Sequence, residues 1–133
     1  ALQIEPTNLY VLENYIGMLR QLNRHNDSLV LFEQLLEINP NNTIFALWYA
    51  DSLRLAGKLE ESKAEFEQIL NFAPDNVWAS HGYVETLRDL KLFRDALDPL
   101  KRILKINPND IAALIRYAEN LRILGAFQEA KDL

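Results

Sequence analysis

At 133 residues, 49% of them hydrophobic, the chain is a single domain by length with enough apolar residues for a continuous core. Its net charge of −5 argues against a general nucleic-acid binder, which carries a basic excess, and no run of roughly 18 apolar residues is present to insert into a membrane. Zero cysteines exclude disulfides and a thiol nucleophile, and leave cytoplasm and periplasm both open, the cytoplasm first.

Four of the five prolines, Pro6, Pro40, Pro74 and Pro108, stand 34 residues apart, and other columns keep that period. Tyr15, Tyr49, Tyr83 and Tyr117 align, as do Leu19, Leu53, Leu87 and Leu121, and then Arg20, Arg54, Arg88 and Arg122. Phe32 and Phe66 align with Leu100. A period of this length predicts stacked copies of one small supersecondary unit. Such arrays hold partners on extended surfaces, so a binding face is expected before a catalytic centre.

Taken in chain order, residues 1–8 read as the last turn of an earlier unit. Full units follow over 9–42, 43–76 and 77–110, and 111–133 holds a fourth that stops inside its second helix. The chain therefore reads as a piece of a longer array. In each unit the first helix starts after an Asn/Asp pair, Asn41-Asn42, Asp75-Asn76 or Asn109-Asp110, whose side chains can accept unpaired N–H groups. Its apolar rows, as in Leu12, Tyr15, Ile16 and Leu19, fall on one face. It is expected to end near Gly57 or Gly125, where glycine tolerates the left-handed turn beyond a helix. The second helix carries Ser62, Phe66, Ile69 and Leu70 at similar spacing, and proline then blocks its continuation. Pro99 breaks the pattern inside the third unit's second helix, predicting a late start near Asp98 or a bend.

Tyr49-Ala50, Leu53, Gly57, Ser62, Phe66, Ile69 and Pro74 resemble the tetratricopeptide repeat signature, and Tyr117-Ala118, Leu121, Gly125 and Ala130 match it again. The resemblance covers essentially the whole chain. The family's tryptophan near the start of the first helix is Leu12, Ala46, Ser80 and Leu114 here, which keeps that position small or apolar. The fold it implies is an all-α, right-handed superhelical solenoid of antiparallel helix pairs. It also implies that first helices line an inner, concave groove, and that the function is that of a non-catalytic protein-interaction scaffold.

Carried onto this sequence, the expected partner-binding residues are Tyr10, Asn14, Arg20, Trp48, Asp51, Arg54, Trp78, His81, Glu85, Arg88, Arg116, Glu119 and Arg122. Trp48 and Trp78, with Ile44, Leu47, Ile115 and Ile123, put large apolar groups on a face that should be wet. They read as ligand anchors, or as side chains leaning half-buried onto second helices. Arginines one repeat apart would stand roughly 8–10 Å from each other, so their fields overlap. Asp51, Glu85 and Glu119 precede Arg54, Arg88 and Arg122 by three residues, at a spacing where side chains pair. A self-neutralising ladder follows. Arg20 and Arg116 fall outside it, Arg116 with no partner in the pattern, so these two are the arginines expected to receive a carboxylate or carbonyl from a peptide.

A carboxylate clamp of the kind the resemblance suggests needs lysine, asparagine and arginine at set groove positions. Glu13, Gly17, Trp48, Trp78 and Gly82 stand there, or Leu47, Asp51, Gly82, Ala112 and Arg116 one unit on, and only Arg116 fits. Catalytic constellations are weak. His25 and His81 lie in different units, no zinc set exists, and no glycine-rich phosphate loop or GxSxG occurs. No cofactor is expected. The expected partner is a protein or peptide, with self-association through uncapped ends as the runner-up because Leu114, Tyr117 and Leu121 lack a covering helix. A substrate-recruiting arm of a larger enzyme is the third alternative.

Overall fold

The computed structural model describes residues 25–38 and 40–132, together with Asn14, Met18 and Gln21, which are helical and exposed; for 25, 26 and 126–132 it describes the backbone alone. Six helices fill the continuous part: α1 (His25–Ile38), α2 (Thr43–Leu55), α3 (Leu59–Phe72), α4 (Val77–Asp89), α5 (Leu97–Ile106) and α6 (Ile111–Asp132). Among the described residues there is no strand. The starts of α2, α4 and α6 stand one period apart, at Thr43, Val77 and Ile111. Each helix packs on the next in sequence, and α2 also touches α4. The result is an all-α solenoid of helix pairs.

The chain chemistry behind these boundaries is local. Asn42 and Asn76 cap α2 and α4, their side-chain oxygens accepting from the amides of Phe45 and Ala79, each at 3.0 Å. Asp110 does the same for α6, accepting from the Ala113 amide at 3.1 Å. Helix α2 closes on Gly57 at φ 82°: the Lys58 amide donates to the Leu53 carbonyl and the Gly57 amide to that of Arg54. Helix α4 closes with the same pair of bonds, from Leu92 to Leu87 and from Lys91 to Arg88, although the left-handed position is Lys91 at φ 63°.

Gly125, the other glycine expected to end a first helix, does not. It lies within α6, which continues to Asp132, and a Cβ placed on it would meet nothing within 4 Å. Glycine permits the left-handed turn without imposing it. At Gly57 and Lys91 a returning helix packs back on the one before it. Around Gly125 no neighbour crowds the backbone, and the helix keeps its own hydrogen bonds instead.

Pro99 is resolved as a late start. Helix α5 begins at Leu97 after a turn over 93–96, so Pro99 is its third residue, where a missing N–H costs little because first-turn amides have no intrahelical partner. The buried Asn120 amide donates to the Phe93 carbonyl at 3.3 Å, satisfying a group in the delayed turn. In the preceding unit Thr86 holds the column of Asn120, and its hydroxyl lies 3.2 Å from that of Ser62.

The core runs along the stack as a string of clusters rather than one centre. Leu31, Phe32, Leu35 and Phe45 form the first, Ala50, Phe66, Ile69 and Ala79 the second. Val84, Leu87, Ala96, Leu100, Ile103 and Ala113 form the third. Each joins residues from at least two helices, so a unit completes its core only against its neighbour. Gly82 has a packing role: a Cβ there would run into the ring of Phe66.

Candidate interaction face

The first helices α2, α4 and α6 set the predicted groove residues side by side. Arg54 pairs with Asp51 at 3.2 Å on its own helix and with Asp89 on α4 at 3.5 Å. Beyond it four charges close a ring across α4 and α6. Arg88 meets Glu119 at 2.7 Å and Glu85 at 3.8 Å, while Arg116 meets Glu85 at 2.6 Å and Glu119 at 3.2 Å. Two arginines and two glutamates alternate, so the ring carries no net charge.

Arg116 is therefore not the spare cation that its position within α6 suggests. Its partner Glu85 lies 31 residues upstream on the neighbouring helix, beyond the reach of a pairing rule applied helix by helix. Burial works against its charge, but the bonds to Glu85 and Glu119 win, holding the guanidinium above its ordinary pKa. Arg122 is exposed and makes no ion pair among the described residues. Tyr10 and Arg20 of the predicted set lie outside the described residues, as do Leu12, Tyr15, Ile16, Gly17, Leu19 and residues 1–8.

His81 belongs to the same face and is engaged. Its Nε2 lies 2.9 Å from Oδ2 of Asp110, whose other oxygen caps α6. The histidine hydrogen bond, then the Ala113 amide, hold the Asp110 carboxyl below its usual range. One side chain thus caps a helix and ties it to α4.

The two tryptophans separate. Trp48 is half-buried, its ring 6.3 Å from that of Phe32 and 6.1 Å from that of Phe45, so it is an edge of the first core cluster. Trp78 is 80% exposed. Ile44, one repeat earlier in the same column, is 47% exposed, and Ile115 on α6 is 49% exposed. A fold that buries Phe32, Phe45 and Phe66 leaves an indole in water here.

A second concavity was not legible in the periodicity. A cleft of about 820 Å³ opens between the second helices α1 and α3 and the start of α2, lined by Leu36, Ala46, Tyr49 and Ile69 and by Glu33, Glu37, Glu65 and Phe72. The tyrosine row anchors onto this side: Tyr49 donates to Glu33 at 3.4 Å and Tyr83 to Glu67 at 3.1 Å. Burial, and then Glu67, push the Tyr83 hydroxyl up to about 12. Among the described residues no group of three His, Cys, Asp or Glu could hold a metal ion, and no described helix is long and apolar enough to cross a membrane.

Capped helix pairs at a fixed period, each completing the next one's core, define an α-helical repeat protein. The tetratricopeptide repeat family model matches residues 19–81, and the fold is the all-α tetratricopeptide one. It is similar to the first tetratricopeptide domain of Spaghetti (RPAP3) bound to the HSP90 peptide SRMEEVD, with a TM-score of 0.79 and 12% identity over 92% of this chain and 99% of that one. The first such domain of human RPAP3 superposes with a TM-score of 0.82 at 13% identity, over 94% and 98% of the two chains. The Sgt2 domain from Aspergillus fumigatus gives 0.81 at 15%, over 92% and 83%. At these identities the likeness is one of fold. No curated protein sequence matches the chain.

Proposed function

We propose that this protein-interaction module receives an extended peptide or a partner helix on the face of α2, α4 and α6, with Trp78 as the principal anchor. The supporting observation is the 80% exposure of Trp78, with Ile44 in the same column and Ile115 on α6 also exposed. Buried aromatic anchors dominate interfaces, and truncating one costs about 2 kcal/mol or more, roughly 30-fold in affinity. Because Arg54, Arg88 and Arg116 are already matched by acids, the ligand is read by apolar groups first and by hydrogen bonds from the ladder second. A neighbour in this fold holds the acidic peptide SRMEEVD. Of the positions a carboxylate clamp would use in either register only Arg116 fits, and it is taken by Glu85, so an acidic C-terminus is not the proposed ligand.

Peptides selected from a random display library on the immobilised chain supply the test. Their affinity should fall at least about tenfold on Trp78→Ala and change little on Arg116→Gln. Unchanged affinity in the Trp78 variant would refute the groove.

A second reading is favoured by one observation. Leu114 and Leu121, two turns apart on α6, are each 46% exposed, which suits another helix pair or another copy stacking on that face. Leu114→Asp/Leu121→Asp would abolish such an assembly.

A further inference from the structure

The second helices differ sharply in charge along the stack. Helix α1 carries Asp27, Glu33 and Glu37 with no lysine or arginine, and α3 carries four glutamates against Lys63. Helix α5 inverts this, with Lys101, Arg102 and Lys105 against Asp98. The inversion falls within equivalent columns: Glu33 and Glu67 become Lys101, and Glu37 becomes Lys105. One apolar column runs beside them, where Ile38, Phe72 and Ile106 are 62%, 81% and 49% exposed. Folding requires none of these three in the core, yet each unit puts a large apolar side chain at the same outward place.

We propose that the cleft between α1 and α3 is a docking site for a second copy of this chain, which lays the exposed edge of its α5, Lys101, Arg102, Lys105 and Ile106, against Glu33, Glu37 and Phe72. The residues on α5 recur three and four apart, so they share one helical face. Glu33 and Glu37 are likewise one turn apart on α1, across the cleft from Phe72 at the end of α3. Glu65 in the same lining is held above its usual pKa by burial, a cost that a cationic side chain lodged beside it would relieve. Within one molecule α5 is fixed between α4 and α6, away from the cleft, so the contact forms between molecules. The two patches differ, so the contact is heterologous: every copy that fills one cleft offers another, and copies add head to tail. The contacting residues Glu33, Glu37 and Phe72 lie on second helices, and the site does not depend on the groove at Trp78.

Sedimentation equilibrium of the whole chain reads the proposal. The weight-average mass should rise with concentration near 10 mM salt, where the Debye length is about 30 Å, and fall towards that of the monomer near 1 M, where it is about 3 Å. Glu33→Lys/Glu37→Lys and Lys101→Glu/Arg102→Glu should each weaken association at least about tenfold with helicity unchanged. An equimolar mixture of the two variants should associate again, since each then offers what the other lacks. A parent that stays monomeric at every concentration overturns the proposal. So does association that survives both charge reversals, which would move the contact to the Leu114 face, and so does a mixture that fails to recover.

Discussion

Replacing Asp110 by alanine removes two hydrogen bonds with one side chain, and the other units provide internal controls. Asn42, Asn76 and Asp110 occupy one column and accept from the N3 amides at 3.0, 3.0 and 3.1 Å. Only Asp110 also holds a partner on another helix, His81 at 2.9 Å. Loss of a cap costs about 1 kcal/mol, so Asn42→Ala and Asn76→Ala should each lower stability by about that amount. Asp110→Ala should lose in addition the bond to His81, about 0.5–1.5 kcal/mol net, for a total near 2 kcal/mol. Asp110→Asn keeps an equivalent cap and gives up the charge, so its loss should be about 0.5–1 kcal/mol. Urea unfolding followed by circular dichroism measures all four. The folded carboxyl titrates below the free value of 3.8, so its contribution is present above pH 3.8 and lost as pH falls further; Asp110→Asn should flatten that part of the profile. If Asp110→Ala costs no more than Asn76→Ala, the tie between α4 and α6 contributes nothing.

Three further outcomes follow from single residues. Gly82→Ala drives a methyl into the ring of Phe66, costing about 1–3 kcal/mol and exceeding the roughly 1 kcal/mol gain in helix propensity, whereas Gly125→Ala meets nothing and should stabilise; thermal melts of the pair should shift in opposite directions. Lys91→Gly relieves a left-handed lysine and should raise stability by up to about 1 kcal/mol, while Gly57→Ala at φ 82° should lower it by about 1 kcal/mol, both read by urea midpoint. Because the folded Tyr83 hydroxyl titrates near 12 against 10 when unfolded, stability is intact below pH 10 and falls as pH rises from 10 towards 12; Tyr83→Phe should remove that part of the decline, measured by unfolding across the range.

Much of this fold is written locally. The caps at Asn42 and Asn76 and the apolar rows through Leu53 and Phe66 are decisions of a few neighbouring residues, and they are legible for that reason. Pro99 leaves a late start and a bend both open, and the start of α5 at Leu97 decides for the first. Arg116 has no partner in the sequence pattern because the acid it meets sits on another helix, at a separation fixed by how α4 and α6 stack. Trp48 and Trp78 look alike on a helical wheel; their difference comes from Phe32, which lies against one of them from the preceding helix. Gly125 shows the converse limit, since a residue that permits a turn gives no sign of whether the turn is taken. The cleft belongs to no single segment: its lining comes from α1, the start of α2 and α3.

The measurement closest to the central claim is a nuclear magnetic resonance titration of the isotope-labelled chain with a display-selected peptide. The Trp78 indole N–H should show the largest shift, with Ile44 and Ile115 moving alongside it and the Trp48 indole moving little. Binding that leaves the Trp78 indole unmoved while perturbing α1 and α3 would contradict the account and make the cleft between the second helices the working surface.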